Sequence, residues 1–215
     1  MSIQAIINTA QTMEFDLRKT IAQSISSSKR LKYSERTTTQ PFVLTIDPIA
    51  RFRFSEARGV LEAIVNADRD TETQVYLGSG NLSYINRYQG SLTSGNLAAL
   101  TITNFTGTSI SIQFLDLLPV GSTYFKTGDW IQPANSRYPY IITQDLVKVG
   151  LTAIHTATVH RPFISSEGVN VVGQTILCGT ATNMRVIVSQ IPTYRLTQKD
   201  WCEFTGQFVL IEKIL

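Results

Sequence analysis

The residues whose types could carry a reaction or hold a metal are few: His155, His160, Cys178, Cys202 and three aspartates near the middle of the chain. His155 and His160 lie five apart in a run, Thr152 to His160, that alternates like a strand. An odd spacing on a strand turns two side chains to opposite faces, so the pair cannot share one metal ion without distortion. They are also the only imidazole bases, and no G-x-S-x-G turn presents a serine to either. Asp116, Asp129 and Asp145 could supply the paired carboxylates of a hydrolase. Each also stands beside a turn or strand, where aspartate commonly accepts from backbone amides, and that structural role is preferred. Cys178 and Cys202 lack the close spacing of a zinc or redox motif, so two reduced thiols are expected, with a disulfide left open. Gly78-Ser79-Gly80 lacks both the Lys-Ser/Thr pair and the following helix of a phosphate loop, and reads as a turn. No catalytic set, metal or cofactor is expected, and the chain reads as a non-enzyme.

One further group could act by binding. Tyr124, Phe125, Trp130, Tyr138 and Tyr140 cluster in sequence and could stack on bases or sugars. No basic stripe accompanies them, so packing in a core or interface is preferred.

These residues must be positioned by strands. Tyr124 to Phe163 reads as three short strands: Phe125 to Pro133 around a Gly128-Asp129 turn, Tyr138 to Val149 stopped by Gly150, and Thr152 to His160 closed by Arg161-Pro162. Upstream, Phe42 to Ile46, Ala50 to Phe54, Thr73 to Leu77, Leu82 to Gln89, Ala99 to Asn104 and Ser109 to Phe114 read as strands. Downstream, Val169 to Thr175, Ile176 to Cys178, Met184 to Ile191 and the C-terminal run Phe204 to Leu215 do the same. The last of these is apolar and must pair with something, in its own subunit or a neighbour.

A single helix is expected over about 55–68, capped by Ser55, with Glu56 in its first turn and Ala57, Val60, Leu61 and Ile64 at helical spacing. Residues 3 to 12 show no clear pattern. Residues 15 to 39 read as a polar hairpin turning at Ser26-Ser27-Ser28, one that leans on a neighbour because a lone two-stranded ribbon is marginal in water.

The fold class is therefore mainly β, a barrel or sandwich with one flanking helix and an extended N-terminal hairpin. Residues 1–40 form an arm and residues 41–215 a β domain, with an internal boundary near residue 120. Charged residues make up 16% of the chain, against about 25% usually, which suggests surface hidden in an assembly. The net charge of +3 is too small to argue for nucleic acid, and most of it lies in the first forty residues. No run approaches the roughly twenty apolar residues of a membrane span. The N-terminus lacks the apolar run of a signal peptide, so synthesis in a cytoplasm is expected and the sequons at Asn81 and Asn104 read as chance.

The phrases INTAQTMEFDLRKTIAQSISSSKRLKYSER, SYINRYQG, YFKTGDWIQP, RYPYIITQDL and VHRPF resemble virion structural proteins of contractile-tailed phages, especially T4-like phages of marine and cyanobacterial hosts. The resemblance implies a subunit of the tail tube or of the baseplate end of the tube. It further implies a tube-type β-barrel or sandwich, six copies closing a ring around a DNA channel, and rings stacking on other tail-tube or baseplate proteins. DNA would pass through the lumen transiently and without specificity, and no membrane is involved. The tract 122–191 exceeds what a minimal tube subunit needs, which favours a tube initiator or baseplate adaptor. Such a protein is assembled in the host cytoplasm and resides in the virion. The contacts between copies are expected at Arg18, Lys19, Arg30, Tyr33, Trp130, Phe208 and Leu210. The alternative is a carbohydrate- or cell-wall-binding β-sandwich that uses the Tyr124 to Tyr140 aromatics.

Overall fold

The computed structural model describes residues 3–16, 21–25, 31–35, 41–48, 51–66, 71–114, 118–150, 153–164 and 168–214. The largest sheet is antiparallel and five-stranded, in the order β1 (Thr12–Asp16), β4 (Val43–Asp47), β18 (Phe208–Glu212), β15 (Met184–Gln190) and β6 (Thr73–Val75). Alternation sends Leu44 and Ile46 of β4, and Phe208, Leu210 and Glu212 of β18, to its buried side. The short helix α1 (Ile3–Asn8) adds Ile6 and Ile7 to the same core, which also holds Phe42 and Trp130. Each such side chain contributes about 1.5–3 kcal/mol when fully buried. Thus β1 is an edge strand of the main sheet and α1 packs on its core.

A second core is enclosed by three smaller sheets. These are β13-β8-β7 (Ile154–Thr158, Ser109–Gln113, Thr101–Thr106), β11-β10-β14 (Tyr140–Ile141, Trp130–Pro133, Ile176–Cys178) and β12-β9 (Leu146–Val147, Thr123–Phe125). Strict alternation in Ser109–Gln113 buries Ile110 and Ile112 against Phe114, Tyr124, Tyr138 and Tyr140. A five-residue helix, α3 (Ser94–Ala98), is capped by Thr93, whose hydroxyl accepts from the Asn96 amide. The buried members of this core run from Leu92 to Ile176 in sequence.

The third unit is the sheet β16-β17-β5 (Thr193–Thr197, Trp201–Thr205, Arg51–Arg53) beside helix α2 (Phe54–Asn66). Phe52, Ala57 and Cys202 form its small core with Phe54 and Phe204. The cap of α2 comes from across the chain: Asp200, at the tip of the β16–β17 hairpin, accepts from the Ser55 amide at 3.2 Å and from its hydroxyl. Ser55 was expected to cap its own helix and instead sits in the first turn. A separate ribbon, β2 (Ile21–Ile25) with β3 (Leu31–Glu35), completes the strands.

The architecture is mainly β, with several antiparallel sheets, and no described sheet closes into a barrel. Leu82 to Gln89 is a series of turns where a strand was expected, because Ser83, Ile85 and Arg87 donate their amides three residues back. Val169 to Thr175 is likewise outside any strand, and Tyr138 to Val149 is broken into β11 and β12. Among the described residues no helix is long and apolar enough to cross a membrane.

Candidate functional site

The β2–β3 ribbon lies in sequence between the paired strands β1 and β4. Asp16, the last residue of β1, stands opposite Val43, the first of β4. Between them in sequence, Ile21 to Ile25 pair with Glu35 to Leu31 in a separate two-stranded sheet. No other described strand joins β2 or β3. Tyr33 lies in β3 opposite Gln23. Arg18, Lys19 and Arg30 lie outside the described residues, as do Ser26-Ser27-Ser28 and Asp116.

The other three expected contacts are corrected by burial. Trp130 is 4% exposed, Phe208 2% and Leu210 1%. Trp130 stacks on Phe42 with ring centroids 5.3 Å apart, and Phe15 meets it edge-on. Phe208 and Leu210 do not wait for a neighbouring subunit, because β18 is the middle strand of its own sheet, paired on both sides. The aromatic run behaves alike: Tyr124, Phe125, Tyr138 and Tyr140 are all buried, so the glycan-binding alternative loses the platform it required.

The aspartates hold backbone. Asp129 is fully buried at the turn made by Gly128, whose φ is 96°. Its carboxylate accepts from the amides of Gln89 and Lys126, both at 2.8 Å, while burial pushes its pKa up. Asp145 is exposed and accepts from the Thr127 amide and hydroxyl, which lowers its pKa. Both are committed to loop geometry, the structural role preferred from sequence. His155 and His160 are not brought together. His155 packs against Phe114 and Tyr124, whereas His160 lies against Phe42 and Tyr140 and accepts the Ile141 amide on Nδ1 at 2.9 Å. Cys178 and Cys202 are both free thiols, raised in pKa by burial. Among the described residues no group of three or more His, Cys, Asp or Glu is placed to hold a metal ion.

Sequence reasoning missed two features. One is a buried ion pair between Arg161 and Glu212, whose only local signal was a glutamate at a core position of the apolar run FVLIE. The other is a groove of about 660 Å3 lined by Tyr84, Arg87, Tyr88, Leu97, Ile176 and Cys178 among others. Its walls are mainly apolar, and its thiol is held protonated at neutral pH, so it offers shape without a nucleophile. No family model matches the chain, and no curated protein matches it.

Proposed function

We propose that this chain is a self-assembling structural subunit of a phage tail, acting in the tail tube or at its baseplate end. The observation that supports the reading best is the β2–β3 ribbon, whose strands pair only with each other among the described strands. An isolated two-stranded ribbon is marginally stable in water, and docking on a neighbouring copy would give it the third surface it lacks. A ring built this way is heterologous: each ribbon reaches the next subunit, and the rotation closes. The ring would line the DNA channel and stack on other tube or baseplate proteins. Closure of several subunits, six in the tail proteins the sequence resembles, supplies the wall that the open sheets of one copy do not.

Negative-stain images of the purified chain test this reading. Rings or short tubes are expected. A uniform field of single subunits at micromolar concentration would contradict it.

A further inference from the structure

The outward face of the β16-β17-β5 sheet carries three arginines, one glutamate and an exposed tryptophan. Register places Arg195, Glu203 and Arg51 in one cross-strand row, and Thr197, Trp201 and Arg53 in the next. Adjacent strands lie about 4.8 Å apart and rows about 7 Å apart, so all five groups share one compact patch. Glu203 is the only acid in these rows. It accepts from Nε and Nη2 of Arg195 and from Nη2 of Arg51, which hold its pKa down. A guanidinium has five N–H donors in a fixed fork, so both arginines keep donors free while Glu203 fixes their direction. Their side chains are 74% and 69% exposed. Arg53 lies over the Trp201 ring, 5.8 Å from its centroid, and Trp201 is 38% exposed. Lys199, held with φ of 60° at the hairpin tip, adds a further exposed cation.

We infer that this face binds single-stranded nucleic acid, with Trp201 stacking on a base and Arg51, Arg53 and Arg195 taking the phosphates. The Tyr124 to Tyr140 aromatics have no basic stripe beside them and are buried; Trp201 has the stripe and is accessible. Net charge over the whole chain hides this, because the arginines are gathered on one sheet face. Charge alone would suit any polyanion, but an exposed indole beside guanidiniums is the combination that stacks unpaired bases. A duplex, with its bases already stacked, uses only the cations. The inference does not depend on the tail reading.

The test uses the full chain with fluorescein-labelled oligothymidylate, read by anisotropy and by quenching of tryptophan emission. Trp130 is buried, so quenching reports Trp201. Binding should weaken steeply with salt. Trp201→Leu should weaken it by roughly tenfold or more, as loss of one stacked base does. Arg53→Gln should weaken it and flatten the salt slope. Circular dichroism confirms that each variant is folded. Absence of binding at low salt would overturn the inference. So would binding unchanged in both variants, which would place the nucleic acid elsewhere, or equal binding of a duplex or of polyglutamate without quenching.

Discussion

Arg161 and Glu212 meet as a two-point ion pair inside the protein, with Nη1 2.6 Å from one carboxylate oxygen and Nη2 2.7 Å from the other. Their side chains are 5% and 0% exposed. Arg161 follows β13 in the second core, and Glu212 ends β18 in the main sheet, so the pair ties the two largest units together. Each partner also serves the backbone: Nη2 donates to the Pro139 carbonyl at 2.8 Å, and Glu212 accepts the Phe42 amide at 3.0 Å. The guanidinium lies over the Phe42 ring, 4.7 Å from its centroid.

Removing one partner strands a buried charge. Arg161→Met is expected to cost about 3–5 kcal/mol in urea unfolding. The double variant Arg161→Met, Glu212→Gln removes both charges and keeps an acceptor for Phe42, so it should be more stable than Arg161→Met alone. A double variant that is no better than the single one would show that the aromatic contacts of Arg161, not charge pairing, dominate.

His160 makes stability depend on pH. Burial, with the Arg161 charge close by, lowers its pKa from 6.5 to about 3. The unfolded chain therefore takes up a proton that the folded one refuses in the window between these values, so stability falls as pH drops below about 6.5. From pH 7 to pH 5 this group should remove about 2 kcal/mol. His160→Asn keeps an acceptor for the Ile141 amide and does not titrate, so that part of the slope should vanish. An unchanged slope would assign the acid sensitivity elsewhere.

Trp130→Ala should act on the fold. Deleting a buried tryptophan costs about 3–5 kcal/mol, and the urea midpoint should fall accordingly. A variant of native stability that fails only in assembly would restore Trp130 to the interface and contradict its burial.

Asp129→Asn tests the turn. An amide offers one acceptor oxygen where the carboxylate offers two, so one of the Gln89 and Lys126 amides loses its partner. About 1–3 kcal/mol should be lost, with the fold intact. Stability that does not change would mean the two amides find other partners.

The parts of the fold legible in the sequence were those with clean period-two burial. Ser109 to Gln113, Val43 to Ile46 and the C-terminal FVLIE run all became strands, and in the first the expected isoleucine face is buried. Short elements escaped because α1 and α3 are too brief for a helical period to register. Leu82, Tyr84, Asn86 and Tyr88 alternate with smaller or polar residues, yet local i to i+3 bonds fold that run into turns. The β16–β17 hairpin gave no turn signal, since Lys199 and Asp200 adopt positive φ without a glycine. The Arg161–Glu212 partners stand 51 residues apart, and the row of Arg195, Glu203 and Arg51 spans three strands, two of them far along the chain. Such sites exist only after register is set. The ribbon was legible as a hairpin, but its place in sequence between two strands that pair with each other was not.

That position allows a direct test of assembly. Because Asp16 faces Val43, replacing residues 18–41 by Asn-Gly leaves a two-residue turn that keeps the register of both strands. The native mass of this variant and of the full chain, measured side by side by light scattering on a sizing column, is the decisive measurement. The account predicts a closed oligomer for the full chain and a folded monomer for the variant. Equal masses for the two, whether both monomeric or both assembled, would contradict it.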